Sequence, residues 1–351
     1  MKAKNVIMVI LLSLGIVLAV VGGVIFTVSM SNNGWDFSTI SNVTYTKKSF
    51  EFGEEDGLLA LESFEFDITT SDVEIILTDG DKIEVETYQR SKKNGVVISL
   101  TTENYENGAY KIVEKQKAGT IFTFDFGKTP KSTIKIPKNV NYNCKFNITT
   151  GKLTLGKDGE SYLFSKDLIL EGTTGEINVL ANVEVGGNFS AKLTTGKISL
   201  AKIKANQVKI ETSTGDVKLS QDVECANFYL EMTTGNILSE KTLKTNGFYL
   251  ETTTGDTWFK SEVVATDMSV CATTGNVRFD KITLDGQSAE FEVSTGELIL
   301  GFSGKKDDYS FEIEQSTGKC NLSSYKKGNK QVEIESSTGD VTITFWGEMA
   351  I

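Results

Sequence analysis

Residues 228–259 read FYLEMTTGNILSEKTLKTNGFYLETTTGDTWF, and this stretch decides the fold. It holds two Thr-Thr-Gly triplets whose glycines are twenty residues apart. Apolar residues alternate with polar ones before each glycine, as Phe228, Leu230 and Met232 show, and the alternation resumes after it. A period of two on both sides of a turn predicts two half-buried β-strands that meet at a corner.

The triplet recurs along most of the chain, with Thr before every glycine and Ser or Thr before that Thr. Ten copies occur at intervals of 19–24 residues, and their glycines are Gly151, Gly175, Gly196, Gly215, Gly235, Gly255, Gly275, Gly296, Gly318 and Gly339. Glycine adopts the positive φ of a sharp corner without the steric cost that other residues meet. A unit of about twenty residues cannot bury its own apolar face, so neighbouring units must stack. The sequence therefore predicts an all-β fold, a single-chain β-solenoid (β-helix) of about ten coils.

A weaker apolar position, seven or eight residues after the glycine, predicts a short third side to the coils. These positions are Val183, Ile203, Val223, Leu243, Val263 and Ile282. Ahead of the array, Ser71 replaces the glycine in a degenerate copy. We expect residues 58–143 to form an N-terminal β cap that includes this copy, and residues 144–351 to form the solenoid. At the C-terminal end of the solenoid, only Phe345 and Trp346 are expected to cover the apolar core.

The N-terminal region predicts a membrane anchor. Residues 6–28 contain 23 residues without a charge, enough for a helix that crosses a hydrocarbon core of about 30 Å. A cleaved signal is the alternative, but the residues that follow offer a poor cleavage site. Lys2 and Lys4 place residues 1–5 in the cytoplasm, so the rest of the chain is expected outside the cell. Residues 29–57 are polar and weakly patterned, and we expect them to form a tether.

The composition excludes several classes of function. The chain has 351 residues, a formal net charge of −11 and no histidine. The acidic balance argues against nucleic-acid binding, and the lack of histidine excludes Ser-His-Asp catalysis and imidazole zinc sites. No cofactor or metal centre is predicted. The four cysteines have no CxxC spacing; we expect four free thiols, with Cys144 and Cys320 buried and Cys271 exposed.

Aromatic side chains on the outward positions are the first candidate binding surface. Tyr229 and Tyr249 share the position six residues before the glycine, while Leu238 and Trp258 share the position three residues after it. Exposed aromatic rings one coil apart stack on sugar rings or anchor a partner protein. The alternative is cross-coil pairing that only covers the sheet.

Glutamates on the last three coils are the second candidate. They occupy the positions six and four residues before the glycine, and they are Glu290, Glu292, Glu312, Glu314, Glu333 and Glu335. Stacked like charges repel, which a divalent cation or a basic partner would relieve. The alternative is a solvated acidic face that nearby lysines partly neutralise.

An enzyme is not predicted. Glu231 and Glu251, one coil apart, would approach the separation of about 5–5.5 Å found in retaining glycosidases. However, seven of the ten residues at this position are glutamate, so no pair is singled out.

Several motifs carry a resemblance to a known family. They are Phe-Asp-Ile at 66–68, Asp-Val-Glu-Ile at 72–75, Asp-Gly-Asp-Lys-Ile-Glu-Val-Glu at 79–86 and Ile-Lys-Ile-Pro-Lys at 134–138, followed by the serial Thr-Gly strands. Over about residues 60–345 the chain resembles a family of bacterial candidate adhesins with β-strand repeats, of the LiaG-like kind. The resemblance implies an envelope-associated, single-pass surface protein and supplies no catalytic motif.

Together these observations predict a membrane-anchored extracytoplasmic adhesin. Its repetitive solenoid surface would contact an envelope polymer, a host glycan or a protein. The alternative is a non-catalytic envelope scaffold or stress-response accessory that self-associates through exposed solenoid edges.

Overall fold

The computed structural model describes residues 43–117, 130–138 and 141–347. Among these residues, no helix combines the length and apolarity needed to cross a bilayer. The predicted cytoplasmic and membrane-spanning segments, residues 1–5 and 6–28, lie outside the described residues.

The chain divides into two compact units. Of the described residues, the smaller contains 43–46, 89–99 and 116–117, and the larger contains 47–88, 100–115, 130–138 and 141–347. Within the smaller unit, the described residues include the tip of a hairpin at residues 93–95. There the backbone N–H of Lys92 donates to the Val96 carbonyl at 2.7 Å.

Most of the described residues lie in β-strands, and the helices among them are three short 3₁₀ helices at Glu54–Asp56, Leu58–Ala60 and Lys306–Asp308. The strands ahead of the repeats are β1 Val43–Phe52, β2 Ser63–Thr70, β3 Val73–Thr78, β4 Ile83–Lys92, β5 Ser99–Glu106, β6 Ala109–Gln116 and β7 Ser132–Pro137. The repeat strands are β8 Asn143–Leu155, β9 Ser161–Phe164, β10 Leu168–Val179, β11 Asn182–Val185, β12 Asn188–Leu200, β13 Ile203–Thr214, β14 Val217–Leu219, β15 Val223–Thr234, β16 Ile237–Ser239, β17 Leu243–Lys244, β18 Gly247–Thr254, β19 Thr257–Thr274, β20 Val277–Thr295, β21 Leu298–Phe302, β22 Tyr309–Thr317, β23 Lys330–Thr338 and β24 Val341–Phe345.

The larger unit contains a parallel β-solenoid, which confirms the predicted all-β solenoid class, with about nine turns where about ten coils were expected. Corresponding positions of successive coils are register partners: Gly175 lies opposite Gly151 on one side and Gly196 on the other. The predicted third side is also present, because Ile203 pairs with Val183 and with Val223. The inward side chains of all coils form one continuous buried core.

The glycine corner reverses the alternation of side chains. Met232, three residues before Gly235, is buried, and so is Ile237, two residues after it. An uninterrupted strand would point residues an even number apart to the same face, but these two are five apart. The φ of 142° at Gly235 changes the phase of the alternation. Consequently the strands on both sides of the corner face the same core.

The corner glycines also stack directly on one another. All ten have positive φ. A Cβ on Gly255 would lie 1.7 Å from the carbonyl oxygen of Gly235 and so could not be accommodated. The degenerate copy begins this stack, since Thr70 pairs with Thr150. Ser71 at the first corner does not have a positive φ, so this corner does not require glycine. The Ser71 hydroxyl donates to the Pro130 carbonyl oxygen at 3.0 Å.

A ladder of side-chain hydrogen bonds follows the glycines. The Oδ1 atom of Asp216, immediately after the corner, accepts the backbone N–H of Asn236 one coil further on, at 3.0 Å. Asn236 accepts from Asp256, and Asp256 accepts from Asn276, at 3.1 and 2.8 Å. This ladder was not predicted, although the recurring Asp or Asn after the glycine was a signal for it.

The expected tether differs from the structure over residues 43–57. Strand β1 occupies Val43–Phe52, and its last residue is buried. The ring of Phe52 stacks on Tyr110 with centroids 4.3 Å apart. Apolar residues alternate at Phe50 and Phe52, and this short strand signal was hidden in an otherwise polar stretch.

The C-terminal end does not follow the expected order of coils. Strand β23 of the last repeat pairs with β20, and β22 of the preceding repeat pairs with the outer side of β23. The coils therefore follow the order of their glycines Gly296, Gly339 and Gly318. We call this the coil inversion.

The coil inversion has a physical reason in the sequence. The Gly318 coil carries Gln315 at a position where the other coils place an apolar or small residue, so it is better suited to the end of the stack than to the interior. There, the Gln315 amide donates to the Gly339 carbonyl at 2.7 Å. Phe345, which we expected to cover the end, is instead buried inside the stack and contacts Phe302 and Phe311.

Substitution of a corner glycine should destabilise the protein far more than the left-handed backbone alone requires. Gly159 has a φ of +83° but open space around its Cβ position, so Gly159→Ala should cost about 1–2 kcal/mol. Gly255→Ala adds the collision with the Gly235 carbonyl and should cost more than about 3 kcal/mol. Urea unfolding of both variants measures the difference, and equal losses would refute the stacking of the corners.

Engineered disulfides test the coil inversion. Glu290 and Glu333 are register partners, so the Glu290→Cys/Glu333→Cys variant should form a disulfide on mild oxidation. Glu290 and Glu312 lie two strands apart, about 9.6 Å, beyond the Cα separation of about 7 Å that a disulfide tolerates. Mass spectrometry of the Glu290→Cys/Glu312→Cys variant should detect no such bridge. The reverse result would show coils stacked in chain order.

Candidate functional site

The two predicted aromatic pairs lie on different sides of the coil. Tyr229 on β15 lies opposite Tyr249 on β18, with ring centroids 6.0 Å apart and an interplanar angle of 45°. Leu238 on β16 lies opposite Trp258 on β19. The tyrosines precede the Thr-Gly corner and the second pair follows it, so the structure does not bring all four to one surface.

The tyrosine pair is engaged within the molecule. The Tyr249 hydroxyl donates to the carboxylate of Glu251. This hydrogen bond, together with partial burial, raises the pKa of Tyr249 to about 12. Both tyrosines are half-buried. They fit cross-coil pairing that covers the sheet better than they fit a free contact surface.

Trp258 is more accessible and lies among cations. Its side chain is 37% exposed. The Lys260 ammonium lies 4.5 Å and the Arg278 guanidinium 4.9 Å from the ring centroid, within the range of cation–π attraction. The indole N–H of Trp258 donates to Asp280 Oδ2 at 3.1 Å, and Arg278 Nε donates to Asp280 Oδ1 at 2.6 Å. Asp280 thus holds the Trp258 ring and Arg278 in fixed positions.

A groove of 680 Å³ opens beside these cations. We call it the tryptophan groove, although Trp258 borders it and does not line it. Its lining residues are Thr242, Lys260, Ser261, Glu262, Arg278, Phe279, Asp280, Lys281, Ile299, Gly301, Thr344 and Trp346. Trp346 is 47% exposed, and its indole N–H donates to the Asp280 backbone carbonyl at 2.9 Å. Asp280 therefore accepts a hydrogen bond from each of two tryptophans.

Sequence reasoning found only Trp258 at this place. Arg278 and Ile299 share its position three residues after the glycine, and extending that column by two coils would have found them. Trp346 carried no such signal. It was taken as cover for the end of the solenoid, and only the coil inversion places it beside Asp280.

The six predicted glutamates form two columns. Glu333 lies between Glu290 and Glu312, and Glu335 lies between Glu292 and Glu314. All six are exposed, and no ion pair is recorded for them among the residues that the structure describes. Lys327, one of the nearby lysines, pairs with Asp307 and not with these glutamates, at 2.6 Å.

No metal centre is found in this acidic face. In the described part of the chain, no three or more Asp, Glu or Cys side chains are arranged so that they could hold a metal ion. Glu231 and Glu251 lie opposite each other on β15 and β18, as two members of a longer column of the same residue type.

All four cysteines are free, as predicted. Cys144 is buried, but Cys320 is only half-buried because it lies in the terminal coil, with no further coil stacked on it. Cys271 is half-buried rather than exposed, and its thiol donates to Glu292 at 3.8 Å. Partial burial and the carboxylates of Glu292 and Glu251 raise the pKa of the Cys271 thiol.

Comparison with known proteins assigns the repeats to a family. The sequence profile of the Toastrack DUF4097 family matches residues 61–350. The chain belongs to the Toastrack DUF4097 family. This assignment confirms the resemblance that the Thr-Gly strands carry. No curated protein matches this Toastrack chain.

Solved structures similar to this Toastrack chain include three bacterial proteins. A candidate cell adhesion protein from Clostridium sporogenes has 11% identity over 86% of this chain and 100% of its own, with a TM-score of 0.26. A candidate adhesin from Bacteroides fragilis has 11% identity, coverages of 86% and 97%, and a TM-score of 0.37. A candidate lipid-binding protein from Parabacteroides distasonis has 12% identity, coverages of 87% and 98%, and a TM-score of 0.40.

The effect of the glutamate columns of this Toastrack protein on a neighbouring group should be measurable through the reactivity of Cys271. Glu292→Gln removes one negative charge and a carboxylate acceptor beside the thiol, so the pKa of Cys271 should fall towards its ordinary value. The thiolate fraction at pH 8 then rises, and alkylation of Cys271 by iodoacetamide should be faster. Peptide mapping by mass spectrometry measures the rate. Glu312→Gln, two coils from Glu292 and three from Cys271, is the matched control. An equal acceleration in both variants would contradict the local origin of the raised Cys271 pKa.

Proposed function

We propose that this protein is a membrane-anchored extracytoplasmic adhesin. Residues 6–28 anchor it, residues 1–5 lie in the cytoplasm, and the solenoid is displayed outside the membrane. The solenoid contacts an envelope polymer, a glycan or a protein through outward side chains and performs no catalysis. The single observation that supports contact is the pair of exposed tryptophans, Trp258 and Trp346, which both donate to Asp280 at the tryptophan groove. Exposed tryptophans that are held in place suit recognition because little entropy is lost when they bind.

The alternative, a scaffold that grows end to end, has less support at the C-terminal end. Strand β22 is the last strand of the stack, yet its edge is occupied. Phe311 exchanges backbone hydrogen bonds with Tyr325 at 2.8 and 2.9 Å. The Ser324 hydroxyl accepts the N–H of Ile313 at 2.9 Å and lies 3.2 Å from its carbonyl oxygen. An edge covered in this way presents few free groups for pairing with a second chain.

The experiment measures polymer retention by membranes that carry the full chain. These membranes should retain isolated cell-wall polymers or members of a glycan panel. The Trp258→Ser/Trp346→Ser variant should retain less, by about ten-fold, if the tryptophans carry the contact. The Tyr229→Ser/Tyr249→Ser variant is the matched control and should retain as much as the wild type. Deletion of residues 1–28 should release the binding activity into the soluble fraction.

Two results would contradict the proposal. If the wild-type membranes retain no polymer and light scattering shows oligomers that grow with concentration, the scaffold is favoured. Continued sedimentation of the deletion variant with membranes would contradict anchoring by residues 6–28. A circular-dichroism spectrum with the same β content controls for folding of the tryptophan and tyrosine variants.

A further inference from the structure

We propose that the tryptophan groove is the ligand site of this adhesin and that it takes a saccharide bearing a carboxylate. This inference rests on the proposed function and makes it specific. The four residues assigned to recognition are Lys260, Arg278, Trp258 and Trp346, of which only Trp258 was expected from the sequence.

Two cations at the groove retain free hydrogen-bond donors. Arg278 uses its Nε atom to bind Asp280, and among the described residues no acceptor is recorded for its two terminal nitrogens. Lys260 makes no ion pair with the described part of the chain, and its ammonium lies over the Trp258 ring, 4.5 Å from the centroid. Both cations line the groove and lie within 5 Å of the same Trp258 ring centroid, so their free donors lie at the same side of the groove. A carboxylate there would accept charge-assisted hydrogen bonds from both.

The other charges at the groove are already satisfied. Lys281 pairs with Glu262 at 3.0 Å, and both Asp280 carboxylate oxygens are occupied by Trp258 and Arg278. Among the charged residues that line the groove, this leaves Lys260 as the uncompensated charge. A ligand with one negative charge per sugar therefore complements the groove, whereas a densely basic ligand does not.

The groove also provides an aromatic platform and depth. Trp346 lines one wall, and an exposed indole face is suited to stacking on a sugar ring. Gly301 in the lining is closely packed, because a Cβ there would lie 2.2 Å from the Asp280 carbonyl oxygen and 3.0 Å from the Trp346 indole nitrogen. The equivalent positions of neighbouring coils carry Lys260, Asp280 and Thr344. A volume of 680 Å³ falls in the range of about 300–1,000 Å³ common for small-molecule sites.

The coil inversion is what completes the groove. Strand β24 lies directly against β21, so that Thr344 pairs with Gly301 and Phe345 with Phe302. Trp346 then reaches the Asp280 carbonyl, 66 residues away in the chain. With coils in chain order, the Gly318 coil would lie against β21. That coil has Asn321 at the position where the last coil has Thr342, and it carries no tryptophan.

The test titrates the full chain, in detergent micelles, with carboxylate-bearing oligosaccharides. The probes are hexamers of galacturonate, mannuronate and N-acetylneuraminate, each compared with its methyl ester, which keeps the sugar and removes the charge. At least one acid should bind about ten-fold more tightly than its ester, with a change in tryptophan fluorescence. Lys260→Gln and Arg278→Gln should each weaken binding of that acid by about ten-fold, and Trp346→Ala should weaken both acid and ester. Lys218→Gln, a cation of the Trp258 column that lies outside the groove, is the matched control and should bind like the wild type.

Several outcomes would overturn the assignment. Equal affinity for acid and ester, unchanged binding by Lys260→Gln and Arg278→Gln, or no binding of any of the three acids would each do so. Binding of a poly(glycerol phosphate) chain alone, with the same dependence on Lys260 and Arg278, would make the groove an anion site for phosphate and refute the saccharide carboxylate. If wild-type membranes retain cell-wall polymers but Lys260→Gln retains them equally, the adhesin function stands and this site fails. If the acids bind in micelles but the membranes retain no polymer, the site stands and the adhesin function fails.

Discussion

The close approach of one corner glycine to the next is the constraint on which the rest of the structure depends. The carbonyl oxygen of each corner occupies the space where a Cβ of the following corner would lie, 1.6–2.0 Å away along the stack from Gly175 onwards. The positive φ at the same residue reverses the side-chain alternation, which lets two straight strands face one core. Both requirements exclude every residue but glycine, so the spacing of the glycines sets the length of each coil and the register between coils.

Once the register is fixed, each position of the repeat becomes a column of side chains about 4.8 Å apart. Side chains of the same kind lie next to one another in a column, so like charges in one column repel each other most directly. Along Asp216, Asn236, Asp256 and Asn276, acid and amide alternate, so that neither carboxylate lies next to another while every Oδ1 still accepts the next backbone N–H. The glutamate columns near the C-terminal end have no such alternation. Their mutual repulsion is tolerated because the side chains remain in water.

The parts of the fold that repeat can be predicted from the sequence, because aligning the copies separates the shared pattern from the residues that vary between copies. The glycines, the inward positions and the third side of the coil all follow from aligning copies. Aligning the copies does not predict where a coil leaves the repeating order. The place of the Gly318 coil depends on whether Gln315 is better satisfied at an end than inside, which is a comparison of two tertiary arrangements. The same limit applies to the candidate site: Trp258 lies in a column and was found, whereas Trp346 reaches its position only through the coil inversion.

The coil inversion meets two structural requirements that coils stacked in chain order would not meet. A solenoid needs a polar, well-covered last coil, and the Gly318 coil supplies it with Gln315, Ser324 and the antiparallel pairing of Phe311 with Tyr325. The groove, in contrast, needs apolar packing beneath it and an aromatic wall, which the last repeat supplies with Ile343, Phe345 and Trp346. Had the coils stacked in chain order, Gln315 would be buried between two coils and the last apolar coil would lie at the exposed end. Stability of the end and formation of the groove therefore arise from the same rearrangement, so a change that restores chain order would disturb both.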